Sequence, residues 1–261
     1  MEFDFQTGHV VPGDEIMYEE GCIPGNGIRH EDESFISTVH GNVERINKLV
    51  MVKPIRSRYT GNVGDVVIGR IKSIANGFWK VDINSKMNAT LQLSSVNLPD
   101  GIQRRRNEND AMNMKQYLDV NDLICAEIQS ITGTSNVQLH TRNERYGKLT
   151  EGILLEVHPS LIKRCKSHIN MFDDGIKFIC GMNGYIFISL SQNTHHSMTS
   201  FERVARVANC VRILEEKSMF INGFLIEKLY RLTIYLGIPV SEMLLKKNKE
   251  IILSKFIEEK S

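Results

Sequence analysis

The sequence predicts a multidomain chain that is β-rich in its first part and α+β in its last third. In the first part, short apolar runs alternate with polar residues and are bounded by Gly, Asn, Asp or Ser, which is typical of strands joined by tight turns. Long stretches with apolar residues at helical spacing occur only after residue 199. We therefore expect a small β domain over residues 1–57, a second domain over 58–147 and an α+β domain over 148–261.

The first domain shows no helical pattern of useful length. Residues 35–39 and 47–55 alternate apolar with polar side chains, as half-buried strands do. Gly41-Asn42 lies between them and predicts a hairpin turn. We expect this β domain to serve in packing or docking.

The second domain contains a series of five strand-like runs rich in β-branched, aromatic or leucine residues. Five short strands with little helix between them favour a small closed barrel of the oligonucleotide-binding (OB) type. The outer face of such a barrel can stack bases and hold phosphates with cations. The runs are residues 63–71, 78–83, 89–94, 123–131 and 137–142.

Phe78, Trp79 and Lys80 begin the second of these runs. Because neighbours in a strand point to opposite faces, one of the two aromatic side chains should face the core and the other the solvent. An exposed aromatic beside Lys80 would suit base stacking. The alternative is that Trp79 fills the barrel, since Trp is rarely exposed without a partner.

Arg104, Arg105 and Arg106 form the densest positive charge in the chain, within a long polar insert between the third and fourth runs. Clustered guanidinium groups suit phosphate contacts, but Arg is also enriched at protein interfaces, so both alternatives remain open. A lone His such as His140 is more often structural than functional. The other candidates for RNA contact on the barrel are Arg70, Lys72, Lys86, His140 and Arg142.

The last third begins with strand-like runs at residues 152–157, 177–180 and 185–189. Thr199 and Glu202 then have the spacing of a capping box, with Thr199 as the N-cap residue. Two apolar stretches at helical spacing follow, at residues 201–214 and 220–236. Strands followed by helices predict an α+β domain.

The segment from Gly181 to Gly184 matches the G-x-x-G loop with which KH domains clamp a nucleotide backbone. That loop joins two helices, whereas here the four residues lie between two strand-like runs. Asn183-Gly184 in this setting predicts a hairpin turn, since both residues tolerate positive φ. We interpret the segment mainly as a structural turn, with direct RNA contact as the alternative.

Charge and composition exclude several classes of protein. Residues 1–57 carry 10 Asp and Glu against 5 Lys and Arg, whereas both later parts carry a small basic excess, so the first part is not the expected nucleic-acid surface. The five cysteines lie far apart without a C-x-x-C, which indicates reduced thiols in an intracellular protein and no structural zinc. No apolar run reaches about 18 residues, and the N-terminus shows no signal segment. The carboxylates are scattered and no P-loop is present, so we expect no metal, no cofactor and no catalytic residues.

Motifs across the chain resemble a known family. The barrel is similar to an S1 RNA-binding domain, although many S1 domains carry a His where this chain has Gln92, which weakens a base contact there. The whole set resembles the cap subunit of the RNA exosome of the ribosomal-RNA-processing protein 4 family, which has an N-terminal domain, an S1 domain and a KH domain. The motifs are Val11-Pro12-Gly13-Asp14, Val39-His40-Gly41-Asn42, Arg58-Tyr59-x-Gly61, Val63-Gly64-Asp65-Val66-Val67, Leu91-Gln92-Leu93-Ser94, Leu139-His140-Thr141-Arg142, Tyr146-Gly147-Lys148-Leu149 and Gly181-x-Asn183-Gly184.

The resemblance implies a non-catalytic role. The N-terminal domain would dock on a ring of RNase PH-like subunits beside other cap subunits. The S1 face would guide single-stranded RNA, 3′ end first, to a nuclease elsewhere in the assembly, in the nucleus, nucleolus and cytoplasm. The alternatives are a free-standing S1 and KH module, such as a translation factor, and a ribonuclease with an S1 domain.

Overall fold

A computed structural model describes residues 8–16, 21–31, 34–75, 77–97, 110, 112–132, 136–191 and 198–258. The chain divides into two compact units, residues 1–57 and 58–261. The S1-like barrel and the α+β part thus belong to one unit.

The first unit consists of short strands that form two mainly antiparallel sheets with a small core between them. One sheet has the order β1-β6-β7-β3 and the other the order β2-β5-β4. Phe35, Val50 and Val52 are buried between them, with Ile16. The strands are β1 (His9–Val10), β2 (Glu15–Ile16), β3 (Ile23–Pro24), β4 (Ile28–Glu31), β5 (Ser34–Ser37), β6 (Gly41–Ile46) and β7 (Leu49–Pro54).

The hairpin turn predicted at Gly41-Asn42 is wrong. Both residues lie in β6, where Gly41 pairs with Pro54 and Asn42 with Lys53. The turn comes at Asn47 and Lys48, and Asn47 has a φ of 55°. Asn tolerates the left-handed region almost as Gly does, so the sequence offered two turn sites. Gly41 is needed for another reason, because a Cβ there would collide with the Lys53 carbonyl.

The predicted five-stranded barrel is confirmed in the described part of the second unit. Its strands β8 to β12 follow the predicted runs, and β12 closes the barrel by pairing parallel to β10 and antiparallel to β11. The β11 strand also pairs with β8, and β9 lies between β8 and β10. A short helix, α1 (Met114–Tyr117), precedes β11. The strands are β8 (Val66–Ala75), β9 (Phe78–Asp82), β10 (Ala89–Val96), β11 (Leu123–Thr132) and β12 (Asn136–Thr141).

The last part is an α+β layer structure, as predicted. Its sheet has the order β14-β17-β16-β15, and β13 adds to the barrel strand β11. The α2 helix begins at Met198, so Thr199 lies in its first turn and not at an N-cap, which corrects the capping-box prediction. The elements are β13 (Gly147–Leu149), β14 (Gly152–Glu156), β15 (Ile169–Met171), β16 (Ile176–Cys180), β17 (Tyr185–Leu190), α2 (Met198–Glu216), α3 (Gly223–Tyr235) and α4 (Lys246–Glu258).

The sheet of the α+β part is covered on both faces, and its two central strands therefore consist almost wholly of buried residues. Phe178 and Ile188 pack against the helices. Their neighbours Ile179 and Phe187 point the other way and pack with Ile68 of the barrel. One sheet is therefore shared between the helices and the barrel.

The turn from Gly181 to Gly184 joins β16 to β17 and is fixed to the barrel, which confirms the structural interpretation. Asn183 is fully buried, and its Nδ2 donates to the carbonyls of Ile68 at 2.7 Å and Ile83 at 2.9 Å. The Ile68 N–H donates to Asn183 Oδ1 at 3.3 Å. Gly184 has a φ of +88°, and a Cβ there would collide with the Val157 carbonyl.

We predict that Asn183→Leu destabilises the second unit by about 2–4 kcal/mol, because the side chain keeps its bulk but leaves buried backbone groups without partners. Urea denaturation followed by circular dichroism measures the change. Asn136→Leu is the matched control: Asn136 is exposed at the start of β12, so its change should stay within about 0.5 kcal/mol. Equal stability of the two variants would contradict this role for Asn183.

Candidate nucleic-acid interface

The outer face of β8 and β9 brings several predicted RNA-contact residues together. Lys80 lies opposite Ser73 of β8 and Thr90 of β10. Phe78 is two residues away on the same face of β9, and its side chain is half-buried. Arg70 occupies the neighbouring strand opposite Asp82. Aromatic and cationic side chains on one face are what single-stranded nucleic acid requires.

The cations on this face differ in how firmly they are held. Lys72 Nζ lies 3.2 Å from an Asp82 carboxylate oxygen, and Arg70 donates to the Asn121 carbonyl at 3.2 Å. Lys80 on this face and Lys86 in the loop between β9 and β10 are exposed, and no described carboxylate lies within ion-pair distance of either ammonium group. These two lysines therefore remain available for phosphate.

Trp79 is a core residue, which corrects its place among the candidate RNA contacts. Its side chain is fully buried in the barrel, and its indole N–H donates to the Leu118 carbonyl at 2.9 Å. The strand alternation that turns Phe78 outward thus turns Trp79 inward. Phe78 is the aromatic residue of the pair that bases can reach.

His140 lies near the end of β12, where it contacts other side chains of the protein, and Arg142 follows the strand. His140 Nε2 lies 4.0 Å from a Glu127 carboxylate oxygen, which also accepts a hydrogen bond from the Tyr146 hydroxyl at 2.8 Å. Arg142 is exposed. Arg104, Arg105 and Arg106 lie outside the described residues, so their contact with RNA stays a prediction.

A polar cleft between the barrel and the α+β part was not among the predicted sites. Its centre is Asp65, whose side chain is 1% exposed and forms an ion pair with Arg164. Asp65 also accepts hydrogen bonds from the Tyr59 hydroxyl at 2.9 Å and the Asn62 N–H at 3.0 Å. Burial, and then the Asp65 charge, raise the pKa of Tyr59, so this hydroxyl stays a donor.

His168 lines the same cleft and is fixed as a neutral ring. Its Nδ1 lies 3.0 Å from the Cys180 carbonyl, to which it can only donate, and the Cys165 N–H donates to its Nε2 at 3.4 Å. Burial lowers the pKa of His168. Each ring nitrogen of His168 therefore forms a hydrogen bond with a backbone group.

Cys125 and Cys180 are buried thiols of the core. Burial raises the pKa values of Cys125 and Cys180 to about 12, so both thiols stay protonated. The described residues contain no group of three or more His, Cys, Asp or Glu side chains that could hold a metal ion. No helix in the described part of the chain is long and apolar enough to cross a membrane.

A five-stranded barrel joined to an α+β domain is the architecture expected of an S1 domain followed by a KH domain. The family model for the S1 domain of RRP4 matches residues 58–130, and a KH-domain model matches residues 152–194. The chain is 40% identical over 225 residues to the exosome complex component RRP4 of Bos taurus, covering 81% of this chain and 77% of the relative.

Further relatives come from distant organisms. The exosome complex component rrp4 of Schizosaccharomyces pombe is 40% identical over 210 residues, which are 80% of this chain and 64% of the relative. The exosome complex component Rrp4 of Methanobrevibacter smithii is 29% identical over 225 residues, 82% of this chain and 72% of the relative. The chain belongs to the RRP4 family of exosome components, which confirms the resemblance found in the sequence.

We predict that the half-buried His168 makes the protein less stable in mild acid. The pKa of His168 is lowered in the folded state. Below about pH 6.5, the ordinary His value, the unfolded chain therefore binds a proton at this residue more readily than the folded chain does. The free energy of unfolding should therefore fall as the pH drops through that value. His168→Gln retains a donor and an acceptor without titrating, and its stability should depend less on pH in denaturant titrations. Identical pH dependence in both proteins would contradict the prediction.

Proposed function

We propose that this chain is a non-catalytic RNA-binding subunit of an exosome, and that its barrel guides the 3′ ends of single-stranded RNA towards a nuclease carried by another subunit. Membership of the RRP4 family carries this proposal. The outer face with Phe78 and Lys80 supports it, because aromatic and cationic groups contact bases and phosphates without requiring a particular sequence.

The proposal that the chain is not catalytic rests on how its carboxylates are arranged. Metal-dependent cleavage of RNA needs acidic side chains grouped around the cations. In the described part of the chain, Asp65 and Asp82 instead take part in bonds with Arg164 and Lys72. Processing of ribosomal RNA and general RNA decay would then depend on the nuclease to which the strand is delivered.

The first unit has a different proposed role. It forms its own core, and its sequence is acidic, so it is suited to contact proteins more than RNA. We infer that residues 1–57 dock on RNase PH-like ring subunits, next to other cap subunits, and stabilise the ring. The proposed location follows that assembly: nucleus, nucleolus and cytoplasm.

We predict that Phe78→Ala weakens binding of a fluorescein-labelled oligouridylate to the full chain about 5- to 150-fold, since stacking of one base contributes about 1–3 kcal/mol. Lys80→Gln should reduce the slope of log affinity against log salt by about 0.7. Fluorescence anisotropy over a series of salt concentrations gives both quantities.

The control for Phe78 is Phe224→Ala, because Phe224 is 73% exposed on α3, away from the barrel. This variant should bind like the wild type. The only Trp of the chain provides an internal check, since the buried Trp79 should keep its emission when RNA binds. Unchanged affinity of Phe78→Ala, or quenching of Trp79 by RNA, would contradict the proposed RNA face.

Docking is tested by deleting residues 1–57. The shortened chain should retain its folded barrel, shown by the protected emission of Trp79, and should lose co-purification with ring subunits. If it still co-purifies with them, docking lies elsewhere. If the full chain purifies as a monomer without ring subunits, it is a free-standing RNA-binding module.

A further inference from the structure

The cleft between the barrel and the α+β part is built from segments far apart in the sequence. Its volume is about 400 Å³, within the range of ligand sites. The loop after β12 contributes Arg145 and Tyr146, and the loop before β15 contributes Arg164 and Lys166. Asp65 lies at its base.

The acidic groups of the cleft are already engaged by the protein itself. Asp65 is bonded to Arg164, Tyr59 and Asn62. Glu127 accepts from the Tyr146 hydroxyl. The charge of Asp65 is thus paired with that of Arg164, and a Glu127 oxygen is occupied by the Tyr146 hydroxyl.

The cationic groups of the cleft are not all engaged. Arg145 and Lys166 are exposed, and no described carboxylate lies within ion-pair distance of either side chain. Arg164 is bonded to Asp65 but its side chain is 60% exposed, and a guanidinium has five N–H donors. Donors from both loops thus remain for an added acceptor.

The groups are held in place before any ligand arrives. The ion pair with buried Asp65 anchors Arg164, and the bonds of His168 to Cys180 and Cys165 anchor the same loop. Glu127 fixes the Tyr146 ring through its hydroxyl. Little side-chain freedom is lost on binding when groups are positioned in advance.

A site with an aromatic ring beside its cations suits single-stranded RNA better than a simple anion, because the ring can stack on a base. Tyr146 supplies the ring, and Arg145 next to it supplies charge. Arg142, a predicted RNA contact, precedes them in the same loop and is exposed.

We propose that this cleft binds the backbone of single-stranded RNA, with Arg145 and Lys166 on a phosphate and Tyr146 against a base. The inference deepens the proposed function and rests on it. It adds an RNA site that belongs to neither the outer face of the barrel nor a G-x-x-G loop.

The test compares the full chain with the double variant Arg145→Gln/Lys166→Gln, which leaves the Asp65–Arg164 pair intact. Anisotropy with a labelled oligouridylate should show about five- to tenfold weaker binding and a salt slope smaller by about 1.4 if each cation contacts a phosphate. The control Lys163→Gln/Lys247→Gln removes the same charge at exposed positions outside the cleft and should leave the affinity within about twofold of the wild type.

Each outcome decides between the claims. If the wild type binds RNA and the cleft variant binds equally well, or if both double variants lose the same affinity, the cleft proposal is wrong while the proposed function stands. If the wild type binds no RNA even at low salt, both fail. If the cleft variant binds RNA normally but no longer co-purifies with ring subunits, the cleft contacts a protein partner instead.

Cross-linking locates the contact directly. RNA containing 4-thiouridine should cross-link to a peptide that contains Tyr146, and Tyr146→Leu should reduce that product. Inorganic phosphate should compete only weakly, because it offers no base for Tyr146. If phosphate alone abolishes the cross-link as effectively as unlabelled RNA does, the cleft is a site for a free anion and the RNA assignment is wrong.

Discussion

The structure of the second unit depends on the buried amide of Asn183. This side chain lies in the turn between β16 and β17 and bonds the backbone N–H and carbonyl of Ile68 and the carbonyl of Ile83, which belong to the barrel. A buried amide is tolerated only when its donors and acceptor are paired, and the partners that pair them belong to the other domain. The bonds therefore fix the position of the α+β sheet on the barrel.

That constraint determines what the protein can offer to a ligand. Packing of Ile179 and Phe187 on Ile68 covers one face of the α+β sheet, so neither that face nor the 181–184 turn is available to nucleic acid. The surfaces that we propose for RNA are the outer face of β8 and β9 and the cleft lined by Arg145 and Arg164. A segment that resembles a nucleotide clamp thus acts as a joint between domains.

The sequence predicted the elements better than their contacts. The barrel strands were predictable because alternation and turn residues are local signals. The turn at Asn47 was missed because Gly41-Asn42 gave the same local signal, and alternation alone did not say which of Phe78 and Trp79 faces the core. The cleft was beyond sequence reasoning, since Asp65, Arg145 and Arg164 come together only after the domains pack.

Equilibrium unfolding tests most directly whether barrel and α+β part form one cooperative body. In urea, the emission of Trp79 reports the barrel, and the circular dichroism of α2, α3 and α4 at 222 nm reports the α+β part. Joined through Asn183, the two should unfold together, with coincident transitions and one midpoint. Two separate midpoints, with the helices lost while Trp79 stays buried, would contradict the account.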